Sequence, residues 1–97
     1  MDISKKIEDG RIEFSVSGRL DTTTAPVLES EIPQEGVTEI TFDFSRLDYM
    51  SSAGLRVLLK TQKDLSAKGG KMIVANPNKT VKTVLDITGC SGIFTIV

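Results

Sequence analysis

The sequence predicts an α/β fold, a mixed sheet of about five strands with helices packed on it. Three observations carry this. Ile12, Phe14 and Val16 alternate with polar neighbours at a two-residue period, and so do Ile40, Phe42 and Phe44, which marks half-buried strands. Leu55, Leu58, Leu59, Gln62 and Leu65 recur at helical spacing. After an opening hairpin, strand-like and helix-like segments alternate along the 97 residues, the order expected of parallel strands joined by right-handed crossovers.

Taken in order, "SKKIEDGRIEFSVSG" reads as two strands around an Asp9-Gly10 turn. "RLDTTTAPVLESEIP" follows as a short helix, with threonines as N-caps, Pro26 in the first turn, Val27 and Leu28 inside and Pro33 as a stop. Val37 to Ser45 forms the next strand and leads into a loop at Arg46 to Met50. A helix runs from Ala53 to a Gly69-Gly70 terminator, so Ser51 and Ser52 stand at its N-terminus. "KMIVA" is a buried-type strand, Asn78 caps a helix carrying Val81, Val84, Leu85 and Ile87, and "GIFTIV" closes as a strand. No repeat, linker or low-complexity stretch interrupts this order, so one domain over residues 1–97 is expected.

Composition narrows the function classes. An apolar fraction of 39% and a charged fraction of 26% support a packed core. Twelve basic and thirteen acidic residues leave a net charge of -1, without global attraction to nucleic acid or anionic lipid. No run reaches the roughly 20 apolar residues of a membrane span, and "MDISKKIEDG" lacks a signal peptide's apolar core, so a cytoplasmic protein is expected. The single cysteine, Cys90, makes no internal disulfide; it reads as a small buried residue before a redox one.

The absence of histidine is the most restrictive fact. It removes the commonest general base and metal ligand, and with them Ser-His-Asp and Cys-His catalysis. The ligand count excludes a structural zinc, "KGGK" reads as a helix end plus turn, and no lysine is close in sequence to Ser51 or Ser52 to activate a nucleophile. Asp21, Asp43 and Asp48 stand near predicted strand ends and suggest magnesium, but the acidic pair that opens a phosphoaspartate receiver is missing. No cofactor, no metal and no enzyme activity are expected.

What remains is "YMSSAGLRVLL". A helix N-terminus leaves about four N–H groups unpaired and carries roughly half a positive charge, so it suits a serine cap or a phosphate equally. In one reading Ser52 or Ser51 caps the helix; in the other a loop-borne serine accepts a phosphoryl group, with Arg56 one turn on to tolerate the charge. Gly54 is unfavourable this early in a helix and implies close approach by a neighbouring strand or a docked protein. Arg56, Lys60 and Lys63 share a face that is either solvated or meets an acidic partner.

These residues resemble the STAS family, typified by bacterial anti-sigma factor antagonists. The likeness runs nearly end to end: "SGRLDTTTAP" resembles the family's G-x-L-D segment, "ITFDFSRLDYMSSAGLRVLL" its central strand, loop and helix, and "GGKMIVANPNKTVKTVLDITG" its last strand-helix unit. The resemblance implies the STAS fold, a sheet of four to five strands with helices packed on one side.

The resemblance also implies partner switching. The unphosphorylated antagonist binds an anti-sigma factor that is a serine kinase of the GHKL type, which releases the sigma factor; the kinase phosphorylates the antagonist and a PP2C-type phosphatase restores it. The family's D-S-[ST]-G-L acceptor maps onto Ser52, with Ser51 at the usual aspartate and as the alternative acceptor, and Ala53 next. Arg56 stands where glycine is frequent. Asp21 matches the family's acidic position near the acceptor, so Asp21, Thr22 and Thr23 are expected to line the docking surface with Ser51, Ser52, Ala53, Gly54, Arg56 and Lys60; a helix-capping turn is the competing reading. Alternatives of other classes are an assembly module without covalent switching and a nucleotide sensor.

Overall fold

A computed structural model describes residues 1–33 and 35–97. The chain forms β1 (Asp2–Glu8), β2 (Arg11–Leu20), α1 (Ala25–Glu31), β3 (Glu39–Met50), α2 (Ser52–Ala67), β4 (Lys71–Ala75), α3 (Lys79–Ile87) and β5 (Thr95–Ile96), with a 3-10 turn at Cys90–Gly92. The strands make one sheet in the order β1-β2-β3-β4-β5. β1 and β2 are antiparallel; β2, β3, β4 and β5 are parallel neighbours. Each crossover therefore steps in the same direction, and right-handed crossovers of that kind all put their helices on the same face.

The side chains confirm the one-sided cover. Ile12, Phe14, Val16, Ile40, Phe42, Phe44, Met72 and Val74 are buried with Leu28 of α1, Leu58 and Leu65 of α2, and Val81 and Leu85 of α3. The intervening positions on the other face are exposed at Arg11, Glu13 and Ser15 and half-buried at Thr41 and Asp43. Phe14 stacks on Phe42 with centroids 5.5 Å apart, and Phe42 meets Phe44 at 5.8 Å. Each fully buried side chain of this size contributes about 1.5–3 kcal/mol. The bare face holds opposite charges in register instead, Lys6 with Glu13 and Glu39 with Lys71.

Two boundaries differ from the sequence expectation. Arg46 to Met50 is strand, because β2 continues to Leu20 and pairs with it: Ser17 with Arg46, Gly18 with Leu47, Arg19 with Tyr49 and Leu20 with Met50. Register shifts at Ser15/Ser17 and Gly18/Arg19 break the alternation there, so the segment reads as a loop. "GIFTIV" supplies a strand of only Thr95–Ile96, since Gly92 still belongs to the 3-10 turn and Phe94 turns into the core.

Candidate functional site

β2 and β3 end together, with Leu20 opposite Met50 and the Ser51 N–H donating to the Leu20 carbonyl at 2.8 Å. The two chains thus leave the sheet side by side at the C-terminal edge of parallel strands, where open α/β sheets place their sites. On one side is the Asp21 turn. Asp21 Oδ1 accepts the Thr23 hydroxyl at 2.8 Å, the Thr23 N–H at 3.0 Å and the Thr24 N–H at 3.2 Å. The Thr24 hydroxyl accepts the Asp21 N–H and donates to the Arg19 carbonyl, each at 2.8 Å. The Ala25 N–H reaches the Asp21 carbonyl at 2.8 Å, so Asp21 caps the turn that leads into α1. These donors, the Thr23 hydroxyl first, hold the Asp21 carboxyl below the usual carboxylate range. Thr22 and Thr23 are exposed.

On the other side is the start of α2. Ser51 occupies the N-cap position with extended φ/ψ of -96° and 176°, and its carbonyl accepts the Leu55 N–H at 3.1 Å. Its side chain makes no capping bond, and among the described residues its buried Oγ has no partner. Ser52 is the first helical residue and is exposed. The simple serine cap is therefore absent from both positions.

Gly54 answers which neighbour requires its small size. A Cβ there would lie 2.7 Å from Leu20 Cγ and 3.2 Å from Met50 Cγ, so the first turn of α2 is pressed onto the ends of β2 and β3. Gly54 is buried and sits beneath the surface formed by Ser52, half-buried Ala53 and exposed Arg56. Lys60 lies two turns along, ~12 Å from Ser52 along the axis, and meets Glu29 of α1 at 3.4 Å. Asp21, Thr22, Thr23, Ser51, Ser52 and Ala53 thus share one edge; Lys60 belongs to the same helix face at a distance.

Two features were not legible beforehand. Arg19 lies 4.3 Å from the centre of the Tyr49 ring and 3.9 Å from Asp21 Oδ2, stiffening the same edge. Tyr49 is far from Arg19 in sequence and only the strand register brings the two together, whereas Asp21 is a local neighbour of Arg19. Leu59, placed by periodicity with the core leucines, is 39% exposed. Among the described residues no cluster of acidic or cysteine side chains is arranged to hold a metal, and no helix is long and apolar enough to cross a membrane.

The family model for the STAS domain matches residues 2–97. The chain belongs to the STAS domain family. BtrV of Bordetella bronchiseptica, assigned to the anti-sigma factor antagonists, is 33% identical over 91 residues, covering 91% of this chain and 78% of the relative. The anti-sigma-B factor antagonist of Bacillus subtilis is 26% identical over 98 residues, covering 99% and 90%. Among solved structures, the anti-sigma factor antagonist SpoIIAA in its unphosphorylated form superposes with a TM-score of 0.87 at 25% identity, covering 99% of this chain and 88% of that one. This STAS chain is therefore similar throughout to the anti-sigma factor antagonists, which are regulatory binding proteins.

Proposed function

We propose that residues 1–97 act as a single STAS domain that is an anti-sigma factor antagonist switched by phosphorylation at Ser52. The unphosphorylated chain binds an anti-sigma factor that is a serine kinase of the GHKL type and so releases the sigma factor. The kinase transfers the γ-phosphoryl group of ATP to Ser52 Oγ, releasing ADP; a PP2C-type phosphatase hydrolyses the phosphoserine. The cycle consumes ATP and belongs to the cytoplasm. Asp21, Thr22, Thr23 and the exposed residues of the first turns of α2 make the contact.

The observation that carries this reading is the contrast between two adjacent hydroxyls: Ser52 is exposed at the strand edge, whereas Ser51 Oγ is buried. It favours Ser52 over Ser51 as acceptor. SpoIIAA, a protein of the same fold, has been solved both unphosphorylated and phosphorylated. A phosphate adds about -1.5 to -2 charges. The free N–H groups of α2 and Arg56 at i+4 tolerate that charge in the isolated chain, but a desolvated partner contact lacks such compensation.

Intact mass and peptide mapping on the protein from its native cells, with phosphatases inhibited, test the proposal. A single phosphate on Ser52 is expected. Its absence under every growth condition, or its location on Ser51 alone, would overturn the assignment.

A further inference from the structure

We infer that the outward face of α2 docks onto a protein surface in which carboxylates surround an apolar socket, with Leu59 as the side chain that enters it. The inference rests on the proposed use of the α2 face for docking, and names the partner's chemistry and its anchor. Ser52, Arg56, Leu59 and Lys63 follow one another at steps of four, three and four residues, which keeps them within roughly 60° of the helix circumference. All four are exposed. Leu55, Val57, Leu58 and Leu65 of the same helix are buried, so Leu59 is a large apolar side chain left outside by a helix whose apolar face is already full.

The charges around it have one sign. Arg56 and Lys63 flank Leu59 and Lys60 lies beside it. Glu29 is within reach of Lys60 only from α1, at 3.4 Å, and the single carboxylate of α2, Asp64, is on the flank that lines the crevice toward α1. Lys60 shares its charge with Glu29, whereas Arg56 and Lys63 meet no carboxylate among the described residues. These two cations complement carboxylates, and an apolar side chain between them is how an interface anchors. An anionic membrane would match the charge but not the apolar area, since an interfacial helix needs a broad apolar face and that of α2 lies in the core.

The test starts from a partner captured by the unphosphorylated chain from its native cells, identified by mass spectrometry, purified and titrated calorimetrically at low and moderate salt. Leu59→Ser is expected to weaken binding at least about tenfold with its salt dependence intact. Lys63→Glu is expected to weaken it by a similar factor and flatten the salt dependence. A zero-length carbodiimide cross-linker should join Lys60 or Lys63 to aspartate or glutamate of the partner. Circular dichroism of both variants confirms the fold, which exposed positions leave unchanged.

Binding of both variants within about twofold of wild type, cross-links that avoid Lys60 and Lys63, or a wild-type chain that captures no protein each overturn the inference. So does Leu59-dependent sedimentation with phosphatidylglycerol vesicles. A Ser52→Asp chain that still binds the partner fully would sink the phosphorylation switch while Leu59→Ser and Lys63→Glu still decide this surface, so the two failures are distinguishable.

Discussion

Helices α2 and α3 both begin where a parallel strand ends, and both start from a small polar residue in extended conformation, Ser51 at ψ 176° and Asn78 at ψ 175°. Their use of that residue differs. Asn78 Oδ1 accepts the Val81 N–H at 2.8 Å, and its Nδ2 donates to the Leu47 carbonyl at 2.9 Å, tying the helix to β3. Ser51 caps nothing, and the first turn of α2 is instead held by the close approach of Gly54 to Leu20. One helix start is closed by hydrogen bonds. The other is fixed by packing, which leaves its leading N–H groups and the Ser52 hydroxyl free for chemistry.

The largest expected effect of disturbing this contrast is at Ser52. Ser52→Asp places a charge at the open start and should lower partner affinity by a few kcal/mol, on the order of a hundredfold or more, while urea denaturation shifts by no more than about 0.5 kcal/mol. Equal affinities for wild type and variant would remove the functional meaning of the open end. Next is Gly54→Val, which forces a branched side chain into Leu20 and should cost about 1–3 kcal/mol in chemical denaturation. A neutral result would show that packing does not hold this turn.

Asn78→Ala should cost about 1–2 kcal/mol, from the lost cap and the lost bond to β3. Ser51→Ala, the matching change on α2, should stay within about 0.5 kcal/mol, because an orphan hydroxyl contributes no bond to lose. Similar losses at both positions would erase the distinction. The smallest effect concerns pH. Asp21 has its folded pKa lowered, mainly by the Thr23 hydroxyl, so its contribution is present above the unfolded value of about 3.9 and is lost as pH falls through the lower folded value. Stabilities of wild type and Asp21→Asn should therefore differ at neutral pH and converge as pH drops below about 4; a difference that is absent at neutral pH, or that stays the same into acid, would mean that the ionised Asp21 cap does not stabilise the fold.

Most of the fold was readable because each core strand and helix carries its own periodicity. Phe14 and Phe42 are spaced for strands, Leu55 and Leu65 for a helix, and Asn78 announces a cap that the structure makes. The second half of β3 was not readable, since Leu47 and Met50 are three residues apart and only the neighbouring β2 makes that spacing a strand. The site was partly legible. The serine pair and the "GRLD" turn have local signatures, whereas the burial of Ser51 Oγ and the stacking of Arg19 on Tyr49 depend on elements that meet only in three dimensions.

The order of the sheet also bears on how the molecule assembles and opens. Because spatial order follows chain order, every strand joins beside the one made just before it, which keeps loop-closure costs low and favours rapid folding for a mostly parallel sheet. The two edges are unequal. β1 is anchored along seven residues from Asp2 to Glu8, whereas β5 pairs through Thr95 and Ile96, with Val97 donating to the Val74 carbonyl. Among the hydrogen-bonded amides of the sheet, exchange should accordingly be faster at Ile96 and Val97 than at Phe14 and Phe42. The chain would then open from its last-formed edge, leaving the strands that carry the Asp21 turn and Ser52 paired until global unfolding.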